Sequence, residues 1–152
     1  MDYIVNLYEL DLDNIECLSG LKIVRSLSPN SDRVLEFIKN NFTEGWVSEA
    51  KSAVYKTNPT CMIAIDDGEI VGFACYDATA KGFFGPTGVN EKYRGKKVGR
   101  DLLLKTLQAM KYDGYGYAII GWAGEHAIKF YEKNANAKPL YNKHSVYDRL
   151  AK

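Results

Sequence analysis

Hydrophobic positions in this chain change period several times, and each change marks an element. From Asp32 to Phe42 the apolar residues Val34, Leu35, Phe37 and Ile38 recur at helical spacing, with Ser31 placed to cap them. A second helix is predicted over Thr43 to Tyr55, ending before Asn58-Pro59. The pattern then becomes continuous, with apolar runs at Cys61 to Ile65 and Ile70 to Tyr76 on either side of Asp66-Asp67-Gly68. That arrangement reads as a hairpin. Short strands are predicted at Tyr3 to Tyr8 and Leu21 to Arg25, and a further strand at Gly82 to Val89. Val98, Leu102, Leu103, Leu107 and Met110 form one helical stripe, closed by Gly114 where a C-terminal glycine belongs. Tyr117 to Trp122 is apolar almost throughout, as in a strand covered on both faces. A last helix from Glu125 to Lys133 leads to Pro139, and Tyr141 to Leu150 is predicted to end the chain as a strand.

This order predicts an α/β (α+β) fold, with a mixed, largely antiparallel central sheet flanked by helices. No repeat or linker divides the 152 residues, so a single domain is expected, with residues 1–20 as an N-terminal extension to its core. Formal net charge is +1, which argues against a nucleic-acid partner. No apolar run suits a membrane, and the N-terminus has no secretion signal, so a cytoplasmic location is expected. Cys17, Cys61 and Cys75 lie far apart, with Cys61 and Cys75 in strand-like runs, so none is read as catalytic. Neither His126 nor His144 has the neighbours of a zinc site, and no metal is expected.

The basic residues are concentrated between Lys92 and Lys105. Tyr93-Arg94-Gly95-Lys96-Lys97-Val98-Gly99-Arg100 joins a glycine-punctuated turn to the first turn of a helix. Backbone N–H groups there lack intrahelical partners and sit at the positive end of the helix dipole, so they suit phosphate. Arginine and lysine side chains add full charge at the same point. The same residues would also serve as a solvated basic turn capping a surface helix. A Walker loop is excluded, because Gly95-Lys96 is followed by Lys97 in place of Ser or Thr. Gly82, Gly85 and Gly88 have the wrong spacing for a dinucleotide fingerprint and read as close-packing or bulge positions.

From Gly82 to Pro139 the chain resembles the GNAT superfamily of acetyl-CoA-dependent N-acetyltransferases. Arg94 and Gly99 occupy the outer positions of its Arg-x-x-Gly-x-Gly signature, after a strand ending at Val89, and Phe130-Tyr131-Glu132-Lys133 resembles its Phe-Tyr-Glu-Lys segment. Lys97 stands where the signature has its middle glycine, and Gly124 stands where many members carry asparagine. The resemblance implies acetyl-CoA as acetyl donor, with its pyrophosphate on Arg94, Gly95, Lys96, Lys97, Val98, Gly99 and Arg100. It also implies a pantetheine channel at Thr87 and Gly88, an oxyanion donor at the Val89 N–H, and Tyr131 beside the departing thiolate.

On the acceptor side, Trp46 and Glu49 share a helix face and offer an apolar wall with a carboxylate for a cationic amine. Glu49 is the first candidate for general base. Asp77 and Glu91, flanking the cofactor strand, are the alternatives to it, Asp77 being also a second substrate-binding candidate. Gly82 to Val89 with Ala118 to Trp122 looks like a bacterial GNAT subgroup sometimes joined to amino-sugar hydrolases, which implies a small-molecule amine such as an amino sugar. The resemblance also admits a homodimer, and it admits a non-catalytic acyl-CoA-binding module that keeps the fold.

Overall fold

A computed structural model describes residues 1–151. Among them run β1 (Asp2–Asn6), β2 (Lys22–Arg25), α1 (Ser31–Asn41), α2 (Glu44–Val54), β3 (Cys61–Asp66), β4 (Glu69–Tyr76) and β5 (Phe83–Val89). They are followed by α3 (Val98–Tyr112), β6 (Tyr117–Ile120), α4 (Glu125–Ala135) and β7 (Lys138–Leu140). The strands form one sheet in the order β2-β3-β4-β5-β6-β1-β7. All neighbours are antiparallel except β5 and β6. The mixed, largely antiparallel sheet expected from the sequence is therefore present.

Strand alternation divides the core between two helix layers. Cys61, Ile63, Phe73 and Cys75 pack with Val34, Phe37 and Ile38 of α1 and Ala50 and Ala53 of α2. Met62, Ala64, Ala74 and Tyr76 pack with Leu102, Leu103 and Leu107 of α3. The α3 layer lies so close to β4 that a Cβ on Gly72 would stand 2.8 Å from Leu102 Cδ1. At the β3–β4 turn Asp67 and Gly68 have φ of 49° and 79°, the paired positive values of a two-residue hairpin turn.

Three expectations need correction. Ser31 does not cap α1; it lies inside the helix and donates its hydroxyl to the Val54 carbonyl at 3.1 Å. The first strand stops at Asn6, whose side chain accepts the Tyr8 N–H at 3.0 Å and turns residues 7–9 into a 3₁₀ turn. Tyr141 to Leu150 is not a strand. Pairing ends at Leu140, and the polar run Asn142-Lys143-His144-Ser145 leads into a 3₁₀ turn at Val146–Arg149. The Ser145 hydroxyl accepts the Tyr147 N–H at 3.2 Å and starts that turn, a local bond that competes with any sheet ladder. Residues 1–20 contribute an interior strand, since β1 pairs with both β6 and β7. No described helix is long and apolar enough to cross a membrane.

Buried Asp101, in the first turn of α3, accepts N–H bonds from Leu18 at 3.1 Å and Ser19 at 2.8 Å, and pairs with Arg100 Nη1 at 2.9 Å. Burial alone pushes its carboxyl upward, but the Ser19, Leu18 and Arg100 bonds outweigh it and hold the pKa below the usual value. A depressed folded-state pKa contributes stability above the unfolded value and loses it as pH falls toward the folded one. Asp101→Asn is therefore expected to cost about 1–3 kcal/mol at neutral pH. Calorimetric melting temperatures of the two proteins should converge below about pH 4.

Candidate functional site

The site begins where the sheet opens. β5 and β6 pair only at Phe83 with Ile119 and Phe84 with Ile120, after which β5 runs on without β6. On its other side β5 remains paired with β4: Gly88 stands opposite Phe73, and the Asn90 N–H donates to the Val71 carbonyl at 2.8 Å. Backbone directions alternate along a strand, so the N–H groups of Thr87 and Val89 point away from β4, toward the gap.

At one end of this gap a cavity of about 400 Å³ lies against the start of α3. Gly95 and Lys97 take φ of 77° and 69°, and this left-handed turn aims the chain into the helix. The Asp101 N–H is the first to bond back into the helix, to the Lys97 carbonyl, so those of Val98, Gly99 and Arg100 remain for a ligand. Arg94 and Lys97 border the cavity from the turn, and Lys129 and Lys133 border it from α4. The donor set, unpaired N–H groups ringed by four cationic side chains, fits a phosphate ester.

Two of the expected phosphate contacts are used differently. Lys96 is not on the cavity wall; its Nζ sits 5.5 Å from the centre of the Tyr93 ring. Arg100 borders the cavity, but its Nη1 is engaged by the Glu16 carbonyl at 2.8 Å and by Asp101. Lys129 and Lys133 went unassigned in the sequence. Their spacing of one helical turn, on the face that carries Phe130 and Asn134, is the signal that could have revealed them.

Beyond Arg94 and Phe130, which border both spaces, lies a cavity of about 1250 Å³. Trp46 and Glu49 come to its wall from α2, Pro86 and Thr87 from β5, Phe130 and Tyr131 from α4. Glu49 Oε1 accepts the Thr79 hydroxyl at 2.9 Å. Tyr131 packs edge-on to Phe84, with ring centres 5.9 Å apart. Burial raises its phenol far above the ordinary value, with no hydrogen bond contributing. The phenol is therefore protonated across the working pH range and available as a donor.

The remaining wall is the C-terminal 3₁₀ turn. Tyr147 stacks on Trp122 at 3.9 Å and 15°, and a Cβ on Gly121 would stand 2.5 Å from the Tyr147 hydroxyl. Glycine there forms the notch that receives the ring. Burial first, then the negative charges of Glu49 and Asp2, raise the Tyr147 phenol. Nothing in the hydrophobic pattern marked this wall.

Asp77 and Gly88 lie outside both cavities. Asp77 accepts the Tyr115 hydroxyl and the Gly82 N–H, each at 2.8 Å, and so ties α3's following loop to the start of β5. Gly88 is required by packing, since a Cβ would fall 2.4 Å from the Phe42 ring. Glu91 begins a short 3₁₀ turn after β5 and borders neither cavity. Among the described residues no group of three or more His, Cys, Asp or Glu could hold a metal ion.

Residues 31–136 match the model of the acetyltransferase (GNAT) family. No curated protein sequence matches the chain. Among solved structures, the chain superposes on the glucosamine N-acetyltransferase region of a fungal multi-domain GH3 β-N-acetylglucosaminidase with a TM-score of 0.71 and 14% identity, covering 90% of this chain and 19% of that one. A GCN5-related N-acetyltransferase from Sphaerobacter thermophilus gives 0.67 and 18%, covering 90% and 47%. An aminoglycoside acetyltransferase from an uncultured soil metagenomic sample, in complex with sisomicin, gives 0.62 and 15%, covering 86% and 97%. The chain thus spans less than half the length of the first two.

The packing at Gly88 gives a direct test. Gly88→Ala should lower stability by about 1–3 kcal/mol in thermal denaturation, because Phe42 is wedged between Phe37, Trp46 and Phe73. Gly99→Ala, whose Cβ would meet Phe130 and Val89 at an ordinary 3.7 Å, should be neutral or stabilising.

Proposed function

The chain belongs to the GNAT acetyltransferase family, and on that premise we propose that it transfers an acetyl group from acetyl-CoA to the primary amine of a small molecule, with an amino sugar as first candidate. The observation that carries this reading is the unpaired stretch of β5, whose Val89 N–H opens between a basic cavity and a larger aromatic one. Two adjoining spaces suit donor and acceptor held together, and so direct transfer in a ternary complex. The neighbours described as glucosamine and aminoglycoside acetyltransferases support the amino-sugar candidate.

Acetyl-CoA, as donor substrate, supplies an acyl group activated as a thioester. The N–H groups at the start of α3, with Arg94, Lys97, Lys129 and Lys133, hold its phosphates. The Val89 N–H donates to the acyl oxygen as negative charge gathers there. Such a donor, fixed in a dry site, is worth about 3–4 kcal/mol. On the acceptor side the Trp46 ring excludes water, and Glu49 receives the ammonium and takes its proton, directly or through a water. The free amine can then attack. Tyr131 completes the set by donating its O–H to the sulfur as the carbon–sulfur bond breaks. Its raised pKa favours hydrogen bonding to the thiolate over full proton release.

Release of free thiol from acetyl-CoA over a panel of amines tests the proposal. Acetyl-CoA binding without thiol release from any amine would leave the chain an acyl-CoA-binding module. Tyr131→Phe keeps the ring and its packing, so melting temperature and acetyl-CoA affinity should hold while kcat falls about 10²–10⁴-fold. Wild-type kcat in that variant, with chemistry rate-limiting, would return Tyr131 to a purely structural role. Glu49→Gln should lower kcat/KM by about 10²–10⁴-fold with little change in acetyl-CoA affinity, which steady-state rates and calorimetric titration would reveal.

A further inference from the structure

The larger cavity carries more positive charge than a cationic amine alone calls for. Among the described residues Glu49 is the one carboxylate on its wall, whereas two arginines, Arg94 and Arg149, border it, together with His126. Arg94 also borders the smaller cavity and is accounted for by phosphate. Arg149 has no such employment. The ion pairs among the described residues are Arg100 with Asp101 and His144 with Asp148, and Arg149 belongs to neither. Arg149 is an exposed residue at the cavity border without an acidic partner, and a guanidinium so placed can bind an anion through two parallel N–H groups.

The turn that carries Arg149 is built into the cavity wall. Ser145 caps it, Tyr147 stacks on Trp122, and the notch at Gly121 seats the tyrosine ring. Arg149 therefore leaves a fixed backbone two residues beyond that ring. Tyr147 in turn lies near enough to Glu49 for the carboxylate to raise its phenol, so the acidic and basic features of the cavity are neighbours. His126, in the first turn of α4, borders the same space.

Resting on the acetyl-transfer reading, we propose that the acceptor carries an anionic group, a phosphate or a carboxylate, as well as its amine. The amine meets Glu49, and the anion is bound by Arg149 with His126. Arg149 is thus a specificity-determining residue, and the substrate class narrows to compact amino compounds bearing a negative charge. Aromatic faces at Trp46, Trp122 and Tyr147 suit a ring between the two charged ends.

Thiol release measured with glucosamine, glucosamine 6-phosphate and muramic acid tests this. The three share an amine and a pyranose ring, and carry respectively no anion, a phosphate and a carboxylate. One of the anionic pair should be favoured over glucosamine by about 10-fold or more in kcat/KM, and which one identifies the anion. In Arg149→Gln that ratio should fall about 10-fold, through KM, and Arg149→Lys should recover part of it. Equal or better use of glucosamine by the unaltered protein overturns the inference and leaves acetyl transfer standing. Should no amine release thiol, the same compounds are titrated calorimetrically into protein saturated with CoA. Anion-selective binding that Arg149→Gln abolishes upholds the inference while removing the transferase reading. Unselective binding, or none, overturns it.

Discussion

A strand inside a sheet keeps hydrogen-bonded neighbours on both sides, yet β5 loses one of them after Phe84, the second of its 7 residues. An unpaired backbone N–H is costly when dry, and a segment bearing several needs a partner from outside the sheet. The parting persists because each strand is held from its far side. β4 holds β5 through Gly72, Phe73 and Ala74, and β1 holds β6 at four successive positions from Tyr3 to Asn6. Phe84 and Tyr131 fill the vertex, so the two strands cannot close again without expelling an aromatic pair. The two cavities and the exposed Val89 N–H follow from this one interruption.

Charge is organised around it at two depths. Near the surface, Arg94, Lys97, Lys129 and Lys133 border one cavity at the start of α3. Beneath them Asp101 uses its carboxylate on protein partners, tying α3 to the loop at Leu18 and Ser19 and occupying Arg100. The Nη1 group of an arginine in the basic run thereby serves as a strut. Lys97 sits between these roles. It occupies a left-handed position that glycine takes without strain, and in exchange places a cation at the phosphate cavity.

Features governed by local physics were legible in advance. Helical spacing located α1 to α4, the Asp-Gly pair located the β3–β4 turn, and the glycine-basic run coincides with the cavity at the start of α3. What was not legible depends on partners distant in the chain. Gly88 was readable as a close-packing position, but the side chain packed against it, that of Phe42, was not. Asp77 is next to the cofactor strand in sequence, yet Tyr115 draws its carboxylate away from the cavity. The C-terminal turn read as a strand because its aromatic and apolar residues resemble one in composition. Ser145 and the Trp122 ring, neither of them part of that pattern, decide its shape.

The position of β1 in the sheet bears on how the chain is made. Residues 2–6 are made well before their partners at 117–120 and 138–140. During synthesis the β2–β5 half, with α1 and α2, can assemble from near neighbours, while the first strand waits unpaired for the last. Such a distant closure is slow, and the waiting edge is open to wrong pairing in the meantime. The cleft between β5 and β6 is thus not set until residues 117–120 have been made, because β6 is not held apart from β5 until β1 has docked beside it.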